Sequence, residues 1–312
     1  MLVIVAPGQG SQTPGMLDPW LANSAFKSVI DEASNACGLD LVLHGTQSDA
    51  DTIRDTAIAQ PLIVAAGLGS LAAVSQEVGF PITSADAVAG HSVGEITAAI
   101  ATGVLSLDDG MNLVSVRANE MAKAAASVST SMAAVLGGNR EDVIAALDKL
   151  DLIAANENGA NQIVAAGPSE KIAELVANPP SGTRVRALQV AGAFHTQYMK
   201  PAQSEVLNTA KNINAANPSV QLVSNKGGEV VTEGSDFLNR IVGQVASPVR
   251  WDLCMETFSA IGITGLIELF PGGTLTGIAK RALPGVELLA ISKPEDLEQV
   301  AEFVKKHLGA TS

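Results

Sequence analysis

Asp86-Ala87-Val88-Ala89-Gly90-His91-Ser92-Val93-Gly94-Glu95 is the stretch that decides the fold. Residues 86–90 are a short apolar run that predicts a buried strand, and residues 93–102 carry a helical pattern that stops at Gly103. Between them Gly90 and Gly94 flank Ser92. A serine hydroxyl is a weak nucleophile and needs exposure, a base and oxyanion donors. A sharp strand-to-helix turn supplies the exposure, and the helix N-terminus adds backbone N–H groups and a favourable dipole. The competing reading is a glycine-rich connection whose serine only caps the helix.

The texture to either side is that of an α/β protein. Residues 2–6 read as a buried first strand stopped by Pro7-Gly8. Residues 60–78 read as a helix with Pro61 in its first turn, and residues 107–126 as another. After a polar break at residues 127–131 the order is strand (132–136), helix (140–150), strands (152–155 and 162–166), helix (169–177) and strand (184–190). That is the split βαβ, or ferredoxin-like, order. Strand candidates at 220–224, 263–269 and 287–291 then alternate with helices at 198–213, 236–245 and 252–260, which implies a mainly parallel sheet. The expected organisation is a catalytic domain of residues 1–126 and 191–312 with a small domain, 127–190, inserted into it.

The formal net charge of −13 argues against a nucleic-acid surface and against attraction to anionic membranes. No apolar run is read as reaching the roughly 18 residues needed to span a bilayer. Cys37 and Cys254 stand in no metal or redox spacing and are read as small buried hydrophobes, so a reducing cytoplasm is expected. A monomer needing no cofactor and no metal is expected as well.

The loop Gly8-Gln9-Gly10-Ser11-Gln12 follows the first strand. It lacks the third glycine of a dinucleotide fingerprint and the lysine of a P-loop, so nucleotide binding is rejected. Loops at the carboxyl ends of neighbouring parallel strands converge, so the Gln9 N–H can join that of Val93 as an oxyanion donor. Arg117 lies three residues after Val114 and four before Met121, on a buried helical face. A buried guanidinium needs a partner, and spacing alone favours a structural carboxylate such as Glu120 over a substrate carboxylate. His195, between a strand and a helix, is the candidate base, against the alternative of a capping or core histidine. His91 is read as a wall of the site. His44 and His307 are read as exposed and without a role. No acid stands out for a triad, which leaves a Ser-His dyad with His195 oriented by a carbonyl or amide. Gln244, before Pro248-Val249-Arg250-Trp251, can be that amide, although an exposed structural glutamine is the default.

Taken together, Gly8-Gln9-Gly10-Ser11-Gln12, Gly90-His91-Ser92-Val93-Gly94-Glu95, Arg117, Gly192-Ala193-Phe194-His195 and Gln244-x-x-x-Pro248-Val249-x-Trp251 resemble the malonyl-CoA:acyl carrier protein transacylase family. The stretch from Asn156 to Gly167 resembles that family's asparagine-rich loop and the strand that follows it, here Gln162-Ile163-Val164-Ala165-Ala166-Gly167. The resemblance covers nearly the whole chain. It implies an α/β-hydrolase-like large domain with an inserted ferredoxin-like subdomain. Ser92 then resembles the acylated nucleophile, His195 the general base and acid, and Arg117 the clamp on the malonyl carboxylate. The amides of Gln9 and Val93 resemble the oxyanion hole. Gln244 resembles the residue that positions the histidine, whose partner in the family is a backbone carbonyl. Val93 departs from the leucine common at its position. Phe194, aromatic before the histidine, implies an unbranched malonyl unit, as in related polyketide domains. The implied partners are malonyl-CoA and acyl carrier protein, with Lys200, Arg250, Lys280 and Arg281 as candidate docking cations. A serine esterase and a non-catalytic carrier-binding subunit are the rival readings.

Overall fold

A computed structural model describes residues 1–308 of the chain. Along it the strands are β1 (Leu2–Ala6), β2 (Ala87–Gly90), β3 (Thr130–Gly137), β4 (Ile153–Gly159), β5 (Gln162–Pro168) and β6 (Thr183–Ala187). They continue as β7 (Gln221–Val223), β8 (Val230–Val231), β9 (Val249–Arg250), β10 (Gly265–Glu268) and β11 (Glu287–Ala290). The first sheet has the order β11-β10-β1-β2-β7-β8. Its pairings are parallel except for β7 with β8.

β1 shows why the central strands lack polar alternation. Leu2, Ile4 and Ala6 enter one apolar cluster, while Val3 and Val5 enter another on the opposite face. With both faces covered by helices, every side chain is buried and the run is apolar throughout.

The helix Thr56–Ala73 begins earlier than its sequence pattern suggests, because the Asp55 carboxylate caps it by accepting from the Ala57 N–H at 2.8 Å. Pro61 therefore sits inside the helix rather than in its first turn. The helix runs on through a π turn, Val74–Val78, and the whole stretch is long and apolar enough to cross a membrane by length and composition. That corrects the expectation that no such run exists. Every residue from Ala59 to Ser70 is buried, which makes this the helix around which the body packs.

The second sheet has the order β6-β3-β5-β4-β9. Within the run β3 to β6, interrupted by helices Arg140–Lys149 and Ser169–Ala177, the pairings are antiparallel. β9 then adds in parallel against β4, so a strand from the second half of the chain completes this sheet. The strand period of two divides β3 between two cores. Ala133 and Val135 pack with Val143, Leu147, Ile172 and Leu175 of the two helices, whereas Met132 joins the main cluster. β4 extends past the expected residue 155 to Gly159, carrying Asn156 and Asn158 in strand conformation. β6 stops at Ala187, short of the expected residue 190.

Candidate active site

The strand β2 ends at Gly90 and the following helix begins at Gly94. Ser92, between them, has φ of 54°, in the left-handed region that non-glycine residues avoid. The flanking glycines are dictated by crowding. A Cβ on Gly90 would lie 1.9 Å from the Gly94 carbonyl oxygen, and one on Gly94 would lie 2.3 Å from that of Ala6. At Gly8 it would come 2.8 Å from the His91 carbonyl oxygen, so the first loop passes against the turn.

His195 meets this turn from the other side. Its Nε2 is 2.7 Å from Ser92 Oγ, and its Nδ1 is 2.8 Å from the Gln244 carbonyl oxygen. A carbonyl only accepts, so Nδ1 carries the proton and Nε2 presents its lone pair to the serine hydroxyl. Burial, reinforced by the positive Arg117, pushes the His195 pKa down to about 3, so the ring is neutral. The loop is pinned locally: the Ala193 N–H donates to Thr130 Oγ1 at 2.9 Å and Thr196 Oγ1 donates to the Ala193 carbonyl at 2.7 Å.

Arg117 lies on the helix Leu107–Ser127 and is 1% exposed. The expected structural carboxylate is not its partner. Glu120 turns outward and pairs with Lys123 at 2.6 Å. Arg117 Nη1 instead donates to Gln60 Oε1 at 2.6 Å and Nη2 to Gln244 Oε1 at 2.9 Å, while its Nε has no acceptor among the described residues. Burial lowers its pKa to about 10, against the opposing pull of Glu95. Glu95 is buried as well, and desolvation pushes its pKa up to about 7.

Gln244 is buried, not exposed as the default reading had it. Its backbone orients His195, while its side chain serves other groups. Nε2 donates to Glu95 Oε2 at 2.6 Å and to the Ser92 carbonyl at 3.1 Å. Asn225, fully buried, accepts at Oδ1 from the Ser92 N–H at 2.8 Å and donates its own backbone N–H to Glu95 Oε1 at 2.6 Å. Sequence reasoning assigned no role to Gln60, Glu95 or Asn225. The position of Asn225 just past the carboxyl end of β7, beside β2, is the signal that could have found it.

A cavity of about 220 Å³ opens onto Ser92 and His195, lined among others by Gln9, Gln60, His91 and Phe194. The His91 Nε2 is 2.9 Å from Asn158 Oδ1, and its ring meets Trp251 edge to face. The backbone N–H groups of Gln9 and Val93 have no acceptor among the described residues.

Several outlying expectations are revised. His307 is buried rather than exposed, with Nδ1 2.9 Å from Thr264 Oγ1, because the last helix packs its ring against Phe303 and beneath the sheet. His44 is half-buried and contacts Ser48 Oγ at 3.0 Å. Cys254 is buried but Cys37 only partly so. Of the candidate docking cations, Arg250 is engaged with Asp252 at 2.7 Å, whereas Lys200, Lys280 and Arg281 are exposed. Arg281 donates to Gln162 Oε1 at 3.1 Å, and Gln162 lines the cavity.

A family model of the acyl transferase domain matches residues 3–291. The chain is 46% identical over 304 residues to the malonyl CoA-acyl carrier protein transacylase of Mycobacterium tuberculosis, covering 97% of this chain and 100% of that one. The chain belongs to the malonyl CoA-acyl carrier protein transacylase family. The Haemophilus influenzae transacylase is 31% identical, with 96% of this chain and 98% of that one covered. Among solved structures, the M. tuberculosis transacylase superposes with a TM-score of 0.90 at 47% identity, covering 96% of this chain and 99% of that one. A malonyl-transacylase captured with a type II polyketide acyl-carrier protein superposes with a TM-score of 0.90 at 27% identity, with 96% and 99% covered. Like other transacylases, the chain is an acyltransferase.

Proposed function

We propose that the chain transfers a malonyl group from malonyl-CoA to the pantetheine thiol of an acyl carrier protein through a malonyl-Ser92 ester. The observation that carries this reading is the line Gln244 carbonyl, His195 ring, Ser92 hydroxyl, with both bonds under 3 Å (2.8 and 2.7 Å) and the tautomer fixed by the carbonyl.

In the first half-reaction the Ser92 proton passes to His195 Nε2 while Oγ bonds to the thioester carbon. The N–H groups of Gln9 and Val93 receive the oxyanion. The C–S bond then breaks, and His195 gives its proton to the CoA sulfur. In the second half the carrier thiol yields its proton to His195, its sulfur attacks the ester carbon, and Ser92 Oγ leaves with the proton. The acylated carrier feeds chain elongation in fatty acid or polyketide synthesis.

Arg117 is the clamp for the malonyl carboxylate. That carboxylate displaces the neutral Gln60 oxygen and engages the free Nε–H, a charge-assisted exchange favoured in a buried setting. Phe194 narrows the site to an unbranched acyl group. Exposed Lys200, Lys280 and Arg281 offer the acidic carrier local cations on an otherwise acidic protein. We assign the body to an α/β-hydrolase-like domain (1–126 and 191–312) and residues 127–190 to a ferredoxin-like insert. The antiparallel order β6-β3-β5-β4, which is 4-1-3-2 in the insert's own strands, supports that assignment. Two cysteines without a disulfide fit a reducing cytoplasm, and exposed large apolar residues on separate elements fit a monomer.

The test is intact mass after incubation with malonyl-CoA. The unaltered chain gains a malonyl adduct, and Ser92→Ala loses acylation by a factor of about 10⁴ or more. A stable adduct on the variant overturns the assignment, and release of free malonate without carrier protein would make the chain an esterase.

A further inference from the structure

We propose that Asn225 is a positioning residue for this acyl transfer, a two-point clip that holds the Ser92 turn in its left-handed conformation and is itself held by Glu95. The inference rests on the function proposed above.

β2 and β7 are parallel neighbours up to the pair Ala89 and Val223. Beyond that pair β2 breaks into the turn, so the Gly90 carbonyl and the Ser92 N–H lose the strand that would have paired them. Buried backbone groups of this kind require partners. Asn225 supplies both from one side chain: Oδ1 accepts from the Ser92 N–H at 2.8 Å and Nδ2 donates to the Gly90 carbonyl at 2.8 Å. The clip therefore spans His91 and bridges the start of the turn to the residue with φ of 54°. Only a short primary amide carries a donor and an acceptor at this reach; aspartate lacks the donor and serine the length.

The clip is anchored in turn. The Asn225 N–H donates to Glu95 Oε1 at 2.6 Å, and its carbonyl accepts from the Arg250 N–H at 2.9 Å. The second Glu95 oxygen accepts from Gln244 Nε2 at 2.6 Å, the residue whose carbonyl orients His195. Serine and base are thus referenced to one carboxylate. Released from the clip, Ser92 is free to relax toward the ordinary right-handed region, which carries Oγ away from His195 Nε2.

The experiment follows malonylation by rapid quench and intact mass, with rates normalised to the end-point number of acylated sites. For Asn225→Ala the maximal acylation rate per site is expected to fall about 100-fold, the cost typical of a small misplacement of a reacting group. The half-saturating malonyl-CoA concentration should stay within about threefold, because the Arg117 clamp is untouched. A lower melting temperature with a normal rate per acylated site would show a merely structural residue and overturn the proposal. If circular dichroism shows the alanine variant unfolded, Asn225→Asp, equal in size but lacking the donor to Gly90, is read in the same way, with a loss of about tenfold expected and an unchanged rate overturning it. Absence of an adduct in the unaltered chain would instead sink the functional reading.

Discussion

Two charge clusters in this molecule solve the same problem in opposite ways. In one, Glu157 on β4 receives Arg140 at two points, 2.5 and 2.9 Å, and lies 3.5 Å from Arg250. In the other, Arg117 and Glu95 never meet; the Gln244 amide stands between them, with Gln60 on the remaining Nη. The direct pair pushes the Arg140 pKa up, and hydrogen bonding to Glu157 is the main cause. The amide-separated pair has Glu95 raised to about 7 and Arg117 lowered to about 10, both chiefly by burial. A cation already joined to a carboxylate has little to offer a ligand. One held by neutral oxygens has its charge available for an incoming carboxylate.

The comparison is broken most directly at Arg117. Arg117→Ala removes a buried charge whose partners, Gln60 and Gln244, are both amides, and the preference for malonyl over acetyl groups should fall about 100-fold or more, the scale for losing a buried charged contact. Competition between malonyl-CoA and acetyl-CoA, read by intact mass, measures it. Arg117→Lys should restore little, since a single ammonium cannot reproduce the planar fork. An unchanged ratio would mean that the two clusters do not differ in function.

Glu95 sharpens the comparison through pH. Its folded pKa of about 7 lies above the ordinary 4.5, so the folded state holds the proton more tightly. The stabilisation from that proton is complete below about 4.5 and is lost as pH rises through about 7. Glu95→Gln does not titrate. Its stability relative to the unaltered chain, from urea unfolding, should therefore rise by roughly 2–3 kcal/mol between the two pH values. His195, depressed to about 3, contributes with the opposite sign, losing stability as pH falls below 6.5, but it is common to both proteins and cancels in the difference. A flat difference would mean that Arg117 holds Glu95 charged, making the amide-separated pair equivalent to a direct one.

The sequence made some of this legible and not the rest, for physical reasons. The turn could be read because its glycines are forced by backbone crossings within a few residues and against the first loop. Burial of Arg117 could be read because a helical period fixes which face its neighbours share. Its partners could not: Gln60 and Gln244 lie 57 and 127 positions away, on other helices, and local spacing pointed to Glu120 instead. Asn225 was invisible because its role exists only where β7 lies beside β2, 133 positions from Ser92. Gln244 was half legible. Its place near His195 followed from resemblance, but the division of labour between carbonyl and side chain is set by how the helix Gly234–Gln244 ends.

The smallest effect belongs to the direct cluster. Arg140 has a half-exposed side chain, 53% accessible, so water screens its attraction to Glu157 and competes for it. Removing it also leaves Glu157 within reach of Arg250, which prevents an unpaired buried carboxylate. Arg140→Ala should therefore cost only about 1 kcal/mol or less in urea unfolding, shrink further in high salt, and leave the malonyl-to-acetyl ratio unaltered. A loss of acyl selectivity equal to that of Arg117→Ala would erase the distinction between Arg140, already paired with Glu157 on β4, and Arg117, the cation proposed as the clamp.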